Sequence, residues 1–149
     1  MITAQLKTIL AASGCTLVLY TGQATENVET DESNQADIVG IISQLDEVTL
    51  EQRANAIHEH YNPLVIQVCQ QVELEDSADD NEIRLQALMD ICKEIIVRLV
   101  AEADFKTITP ITMIKVLENQ HDANFIGWRM PIELYRLKNE NREPCISPS

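Results

Sequence analysis

Apolar side chains at Ile2, Leu6, Ile9 and Leu10 keep the spacing of one helical face, and Gly14 follows where a left-handed C-cap belongs. This predicts a short first helix over residues 2–13. Leu17, Val18, Leu19 and Tyr20 then form a compact apolar strand ended by Thr21-Gly22. From Gln23 to Gln35 the chain, "QATENVETDESNQ", is polar and acidic without any period, which predicts a long exposed loop. "DIVGIISQLDEV" returns to β-branched residues and predicts a strand, with Gly40 as a candidate bulge. "TLEQRANAIHEHYN" admits two readings: a short helix with Leu50, Ala54 and Ile57 on one face, or the far end of a long hairpin. Pro63 restarts the chain, and "PLVIQVCQQVEL" alternates. Leu64, Ile66, Val68, Gln70, Val72 and Leu74 share one face, opposite Val65, Gln67, Cys69, Gln71 and Glu73. The second face is half polar, as in a sheet open to solvent or to a neighbouring subunit.

A helix start follows in "EDSADDNE", where Asp79 and Glu82 have capping-box spacing and the acids complement the helix dipole. The predicted helix spans about residues 80–103. Its expected buried stripe is Ile83, Ala87, Leu88, Ile91, Ile95 and Leu99, widened by Leu85, Cys92, Ile96 and Val100. Two strands close the pattern. "TITPITMIKVLE" aligns Ile108, Thr112, Ile114 and Val116, with Pro110 confining it to an edge or a strand start. "FIGWRMPIELYRL" aligns Ile126, Trp128, Met130, Ile132 and Leu134. Gly127 there predicts a bulge or a close backbone crossing, and Pro131 a missing ladder bond on one edge. The sum is an α+β domain over residues 1–138, in the order α-β-β-β-α-β-β. One long helix covers one face of a mostly antiparallel sheet, and residues 139–149 form a polar, disordered tail.

Charge sharpens this picture. Residues 1–82 hold fifteen acids against Lys7 and Arg53, whereas residues 83–149 hold nine acids and nine bases, so the net charge of −13 sits in the first half. Such a surface opposes binding to nucleic acid phosphates or to anionic membrane. Its bland role is solubility; its sharper role is a wall that repels a polyanion or seats a basic partner. "LAASGC" ending at Cys15 faintly resembles a lipoprotein cleavage site, but the stretch before it is short and interrupted by Gln5, Lys7 and Thr8. No lipid anchor or membrane span is expected.

Candidate chemistry is sparse. Cys15, Cys69, Cys92 and Cys145 lack CxxC spacing, which predicts neither a disulfide framework nor a zinc site and suits a reducing compartment. His58 and His60 would share a side of a strand, and His121-Asp122 could add ligands, but nothing in the sequence gathers them into a metal site. "DSADDNE" lacks the glycine and ligand spacing of a calcium loop. No nucleophile–base pair, phosphate-binding glycine loop or basic–aromatic interleaving is present, so no catalytic residue, cofactor or metal is expected.

The order of elements resembles the phage tail-terminator or tail-completion family and related neck-ring proteins, over roughly residues 1–137. "FIGWRMPIELYRL" is similar in kind to their last strand, and "DNEIRLQALMDICKEIIVRLV" resembles their long helix, which follows a strand like "PLVIQVCQQVEL". The acidic loop at 23–36 and the 51–60 segment depart from that pattern. The resemblance implies a non-enzymatic structural ring subunit, commonly hexameric, at the head–tail junction of a virion and made in the host cytoplasm. It would end the tail tube or join it to the connector, with copies of itself and adjoining tube or connector proteins as partners. DNA would pass through without specific binding. Candidate interface or lumen residues are Glu26, Glu29, Asp31, Glu32, Asp37, Val65, Gln67 and Gln71. The alternative is a soluble cytoplasmic α+β protein that binds a small ligand or partner and forms no ring.

Overall fold

A computed structural model describes residues 2–20, 37–43, 47–54, 56–73, 78–120 and 123–137. The first helix, α1 (Ile2–Ser13), buries the predicted Ile2, Leu6, Ile9 and Leu10. Its end is capped by two bonds, Cys15 N–H donating to the Leu10 carbonyl at 3.1 Å and Gly14 N–H to that of Ala11 at 3.4 Å. Gly14 has φ 121°, a conformation that a Cβ would penalise.

Beyond it come β1 (Leu17–Tyr20), β2 (Ile38–Ile42), β3 (Thr49–Arg53), β4 (Ala56–Val72), α2 (Ala78–Ala101), β5 (Phe105–Thr107), β6 (Ile114–Gln120) and β7 (Ala123–Arg136). The fold is α+β, and the described strands form one seven-stranded sheet in which β1 and β2 pair in parallel and the other described pairs are antiparallel. Five strands were predicted, and two changes account for the difference. The ambiguous 51–60 segment is a hairpin, not a helix: β3 pairs antiparallel with the start of β4, from Thr49↔His60 to Arg53↔Ala56. The 107–118 strand is divided, because Pro110, which cannot donate a ladder bond, falls between β5 and β6.

β4 and β7 form the spine of the sheet. One margin of β4 carries β3 beside its beginning and β2 beside its end, with β1 outside β2. The far margin of β7 carries β6 beside its beginning and β5 beside its end. Pro63 does not restart the chain but lies inside β4. Residues 62 and 63 stand between the pairs Tyr61↔Leu134 and Leu64↔Ile132, two residues facing one, which is a β-bulge. Pro131 is accommodated by geometry. Val65 exchanges backbone and hydroxyl bonds with Ser43 at 2.9 and 3.1 Å, so its polar groups point away from Pro131. The nitrogen of Pro131 therefore faces the outer side of β7, in the gap between β6 and β5.

Both helices pack on one face. Leu64, Ile66 and Val68 of β4 and Met130, Ile132 and Leu134 of β7 meet Leu6 and Leu10 of α1 and Leu88, Cys92, Ile95 and Leu99 of α2. The α2 stripe differs from the predicted one. Leu85, Leu88, Cys92, Ile95 and Leu99 are buried, while Ile83 (69% exposed), Ala87 and Val100 face outward. The helix is apolar around more than half of its circumference, so periodicity alone left two acceptable rotations. Close approaches fix the two strand glycines. A Cβ on Gly40 would stand 2.8 Å from both Cys15 Sγ and Leu10 Cδ2, so this glycine seats the end of α1 instead of forming a bulge. A Cβ on Gly127 would overlap the Val68 carbonyl oxygen and lie 2.6 Å from Cys69 Cα, the close crossing anticipated.

The opposite face of the sheet also holds a core. Leu19, Val39, Ile41, Cys69 and Phe125 form a buried cluster with Leu17 packed against it, and among the described residues no helical one belongs to that cluster. The face of β4 expected to be open is therefore corrected: it is half polar, but Gln67 and Cys69 at its centre are buried, at 8% and 2% exposed.

Candidate functional site

The β3–β4 ribbon is the element that the core explains least. β7 first pairs with β4 at Glu59, so Ala56, Ile57 and His58 have β3 as their ladder partner and reach beyond the end of β7. Its turn takes two residues, and Ala54 adopts φ 52° there, as primed hairpin turns require. On the side facing away from the helices, His60 fastens the ribbon base. Its ring stacks on Tyr135 with centroids 4.2 Å apart and 6° between planes, and Nε2 lies 2.9 Å from Glu133 Oε1. Glu51 Oε1 approaches Nδ1 at 4.0 Å. On the helix side Tyr61 donates to Glu59 at 3.0 Å, and Arg136 reaches the same carboxylate at 3.4 Å. Burial first, and then the Glu59 carboxylate, push the Tyr61 hydroxyl up to about 12, so it stays a donor.

Past these fastenings the helix side of the ribbon carries Leu50 and Ile57, with exposed Gln52 opposite Ile57. Leu50 is 66% exposed and Ile57 is 50% exposed, and their positions in the ladder place them on one face. Glu47, two residues before β3, is exposed.

The other margin of the sheet presents a complementary shape. Between α2 and the chain from 109 to 117 run two grooves, one of about 600 Å³ and one of about 370 Å³. Leu85, Met89, Leu117, Ile126 and Trp128 line the first, and Ile96, Val97, Ile111, Met113 and Met130 the second. Trp128 is half buried, and its indole N–H donates to the Leu85 carbonyl at 2.8 Å, tying β7 to α2. Leu117 and Val97 on the rims are 70% and 61% exposed. Lys115 and Lys93 add positive charge to the walls.

The predicted site residues do not converge. Glu26, Glu29, Asp31 and Glu32 lie outside the described residues. Asp37 stands half buried at the foot of β2, where it accepts a bond from Thr16 Oγ1 at 3.2 Å. Gln67 is 8% exposed, and its amide oxygen accepts a bond from Arg129 at 3.4 Å, which removes it from any exposed interface on the chain as folded. Val65 and Gln71, on the same side of β4, are half buried. Sequence reasoning missed Leu50, Ile57, Leu117 and the two groove lysines. For the first pair the usable signal was strand alternation in "TLEQR" and "AIHEH", masked by an equally acceptable helical spacing.

Cys15, Cys69 and Cys92 are buried thiols. Burial pushes Cys15 up to about 12, and burial together with the neighbouring Cys15 does the same to Cys92, which leaves both protonated and poor nucleophiles at neutral pH. His58 and His60 do occupy a strand, but among the described residues no group of three or more His, Cys, Asp or Glu side chains is placed to hold a metal; His121 and Asp122 lie outside them. No described helix is long and apolar enough to cross a membrane. Compared with known protein families and with curated protein sequences, the chain finds no match in either.

Proposed function

We propose that this chain is a non-catalytic, ring-forming subunit of a phage virion, placed where the tail tube ends or meets the connector. The observation that carries the reading is the β3–β4 ribbon, which holds Leu50 and Ile57 out in water beyond the reach of the core. A side chain of this size, buried, stabilises by about 1.5–3 kcal/mol, so a projecting pair at one sheet margin suits contact with another subunit. The acids Glu26, Glu29, Asp31, Glu32 and Asp37 would face the channel, where like charge denies DNA the counterion release that drives binding.

Native mass spectrometry and imaging of the purified chain test the proposal. Closed rings of one size, which stack on tail tubes, are the expected result. Neutralising the five acids should leave those rings intact and slow DNA passage; loss of the rings would assign the loop to an interface instead. A second reading, a ligand-binding module, is favoured by the groove of about 600 Å³ beside Trp128. A monomer that retains a small molecule through purification would select it.

A further inference from the structure

We propose that the Leu50 and Ile57 side of the β3–β4 ribbon of one copy seats in the α2/109–117 groove of the next, joining the chain to itself head to tail. The inference deepens the ring reading and rests on it, naming the partner surface that such a ring would use.

Position is the first argument. β3 lies on the margin beyond β4, whereas β6 and the groove lie on the margin beyond β7, so projection and recess occupy opposite edges of one sheet. Two different patches on opposite edges make a heterologous contact, which repeats from copy to copy and closes when the rotation between copies allows it. The two patches also turn the same way. Leu50 and Ile57 project on the helix side of the sheet, which is the side on which α2 walls the groove.

Chemistry is the second argument. An exposed apolar pair meets a recess rimmed by Val97 and Leu117, each more than half exposed in the single chain. Charge fits as well. Exposed Glu47 stands at the ribbon base, two residues before β3, and the groove walls carry exposed Lys93 and Lys115 against the one acid Glu82; neither lysine has an ion pair among the described residues. In a chain of net charge −13, two lysines with no ion pair among the described residues leave a local seat for an acid such as Glu47. Both halves of the match belong to the same molecule, which selects a second copy as the occupant.

The test uses the full chain with Leu50→p-benzoylphenylalanine, prepared unlabelled and ¹⁵N-labelled, mixed, irradiated and mapped by mass spectrometry. Cross-links between labelled and unlabelled copies are expected at residues 89–97 or 111–117. Lys93→Glu with Lys115→Glu should weaken self-association roughly tenfold, and adding Glu47→Lys should recover part of the loss. Cross-links that map elsewhere in a chain that still forms rings would overturn this interface and leave the ring reading standing. A chain that stays monomeric at its highest soluble concentration, with photoproducts confined to single copies, would overturn both.

Discussion

Between Leu64 and Val72, β4 turns its even-numbered side chains toward the helices, and between Ala56 and Tyr61 the odd-numbered ones take that side. The upper stretch is supported by β2, β7 and two helices, with an apolar face toward the helices and a second face on which buried Gln67 stands beside buried Cys69. The lower stretch is held by β3, by the end of β7 and by polar fastenings around His60 and Glu59, and its tip exposes Leu50 and Ile57. One strand thus serves two purposes. A bulge at residues 62 and 63 separates them, because one extra residue exchanges the two faces of everything beyond it.

Deleting Asn62 is the strongest way to break this division. With one bulge residue gone, either Tyr61 leaves the core or the His60 cluster is driven into it. The loss expected in urea unfolding is comparable to removing a buried aromatic, about 3–5 kcal/mol. Leu64→Ala, just above the bulge, should cost about 2–5 kcal/mol, whereas Ile57→Ala below it should stay within about 0.5 kcal/mol. Equal costs at the two positions would show that the ribbon tip is packed rather than exposed.

Alkaline titration separates the two stretches in another way. Cys15 and Cys92, above the bulge, have folded values raised from 9.0 to about 12. Their contribution is therefore complete below pH 9 and is lost as pH climbs toward 12, at about 1.4 kcal/mol per thiol for each pH unit. Tyr61, below the bulge, is raised from 10.0 to about 12 and joins the loss only above pH 10. Thermal melts between pH 8 and 10.5 should show the decline, and Cys92→Ala should make it shallower. Glu133→Gln removes the carboxylate beside His60 and should cost about 1 kcal/mol. Amide exchange should quicken in residues 49–53 and stay unchanged in residues 66–70. The smallest effect is a gain: Ala54→Gly relieves a left-handed φ of 52° and should add about 0.5–1 kcal/mol in the same urea assay.

Some elements were legible because local pattern and tertiary burial demand the same thing of them. The α1 stripe, its Gly14 cap and the alternation Ile126–Met130–Ile132–Leu134 in β7 follow directly from residue spacing. The mixed α+β class follows from the order of those periods along the chain. Other features have no local signature. In α2 the choice between Ile83 and Leu85 for burial depends on where β7 lies, and the tether from Trp128 to Leu85 joins residues 43 apart in sequence. The closed second face of β4 requires β1, β2 and β7 to bring Leu19, Val39 and Phe125 against Cys69. Periodicity records which side chains avoid water together, and for α1 and β7 that was enough. Which face meets which neighbour, and where Leu50 and Ile57 are left exposed, was decided only by strand pairing across the sheet, because that pairing joins residues with no local relation in sequence.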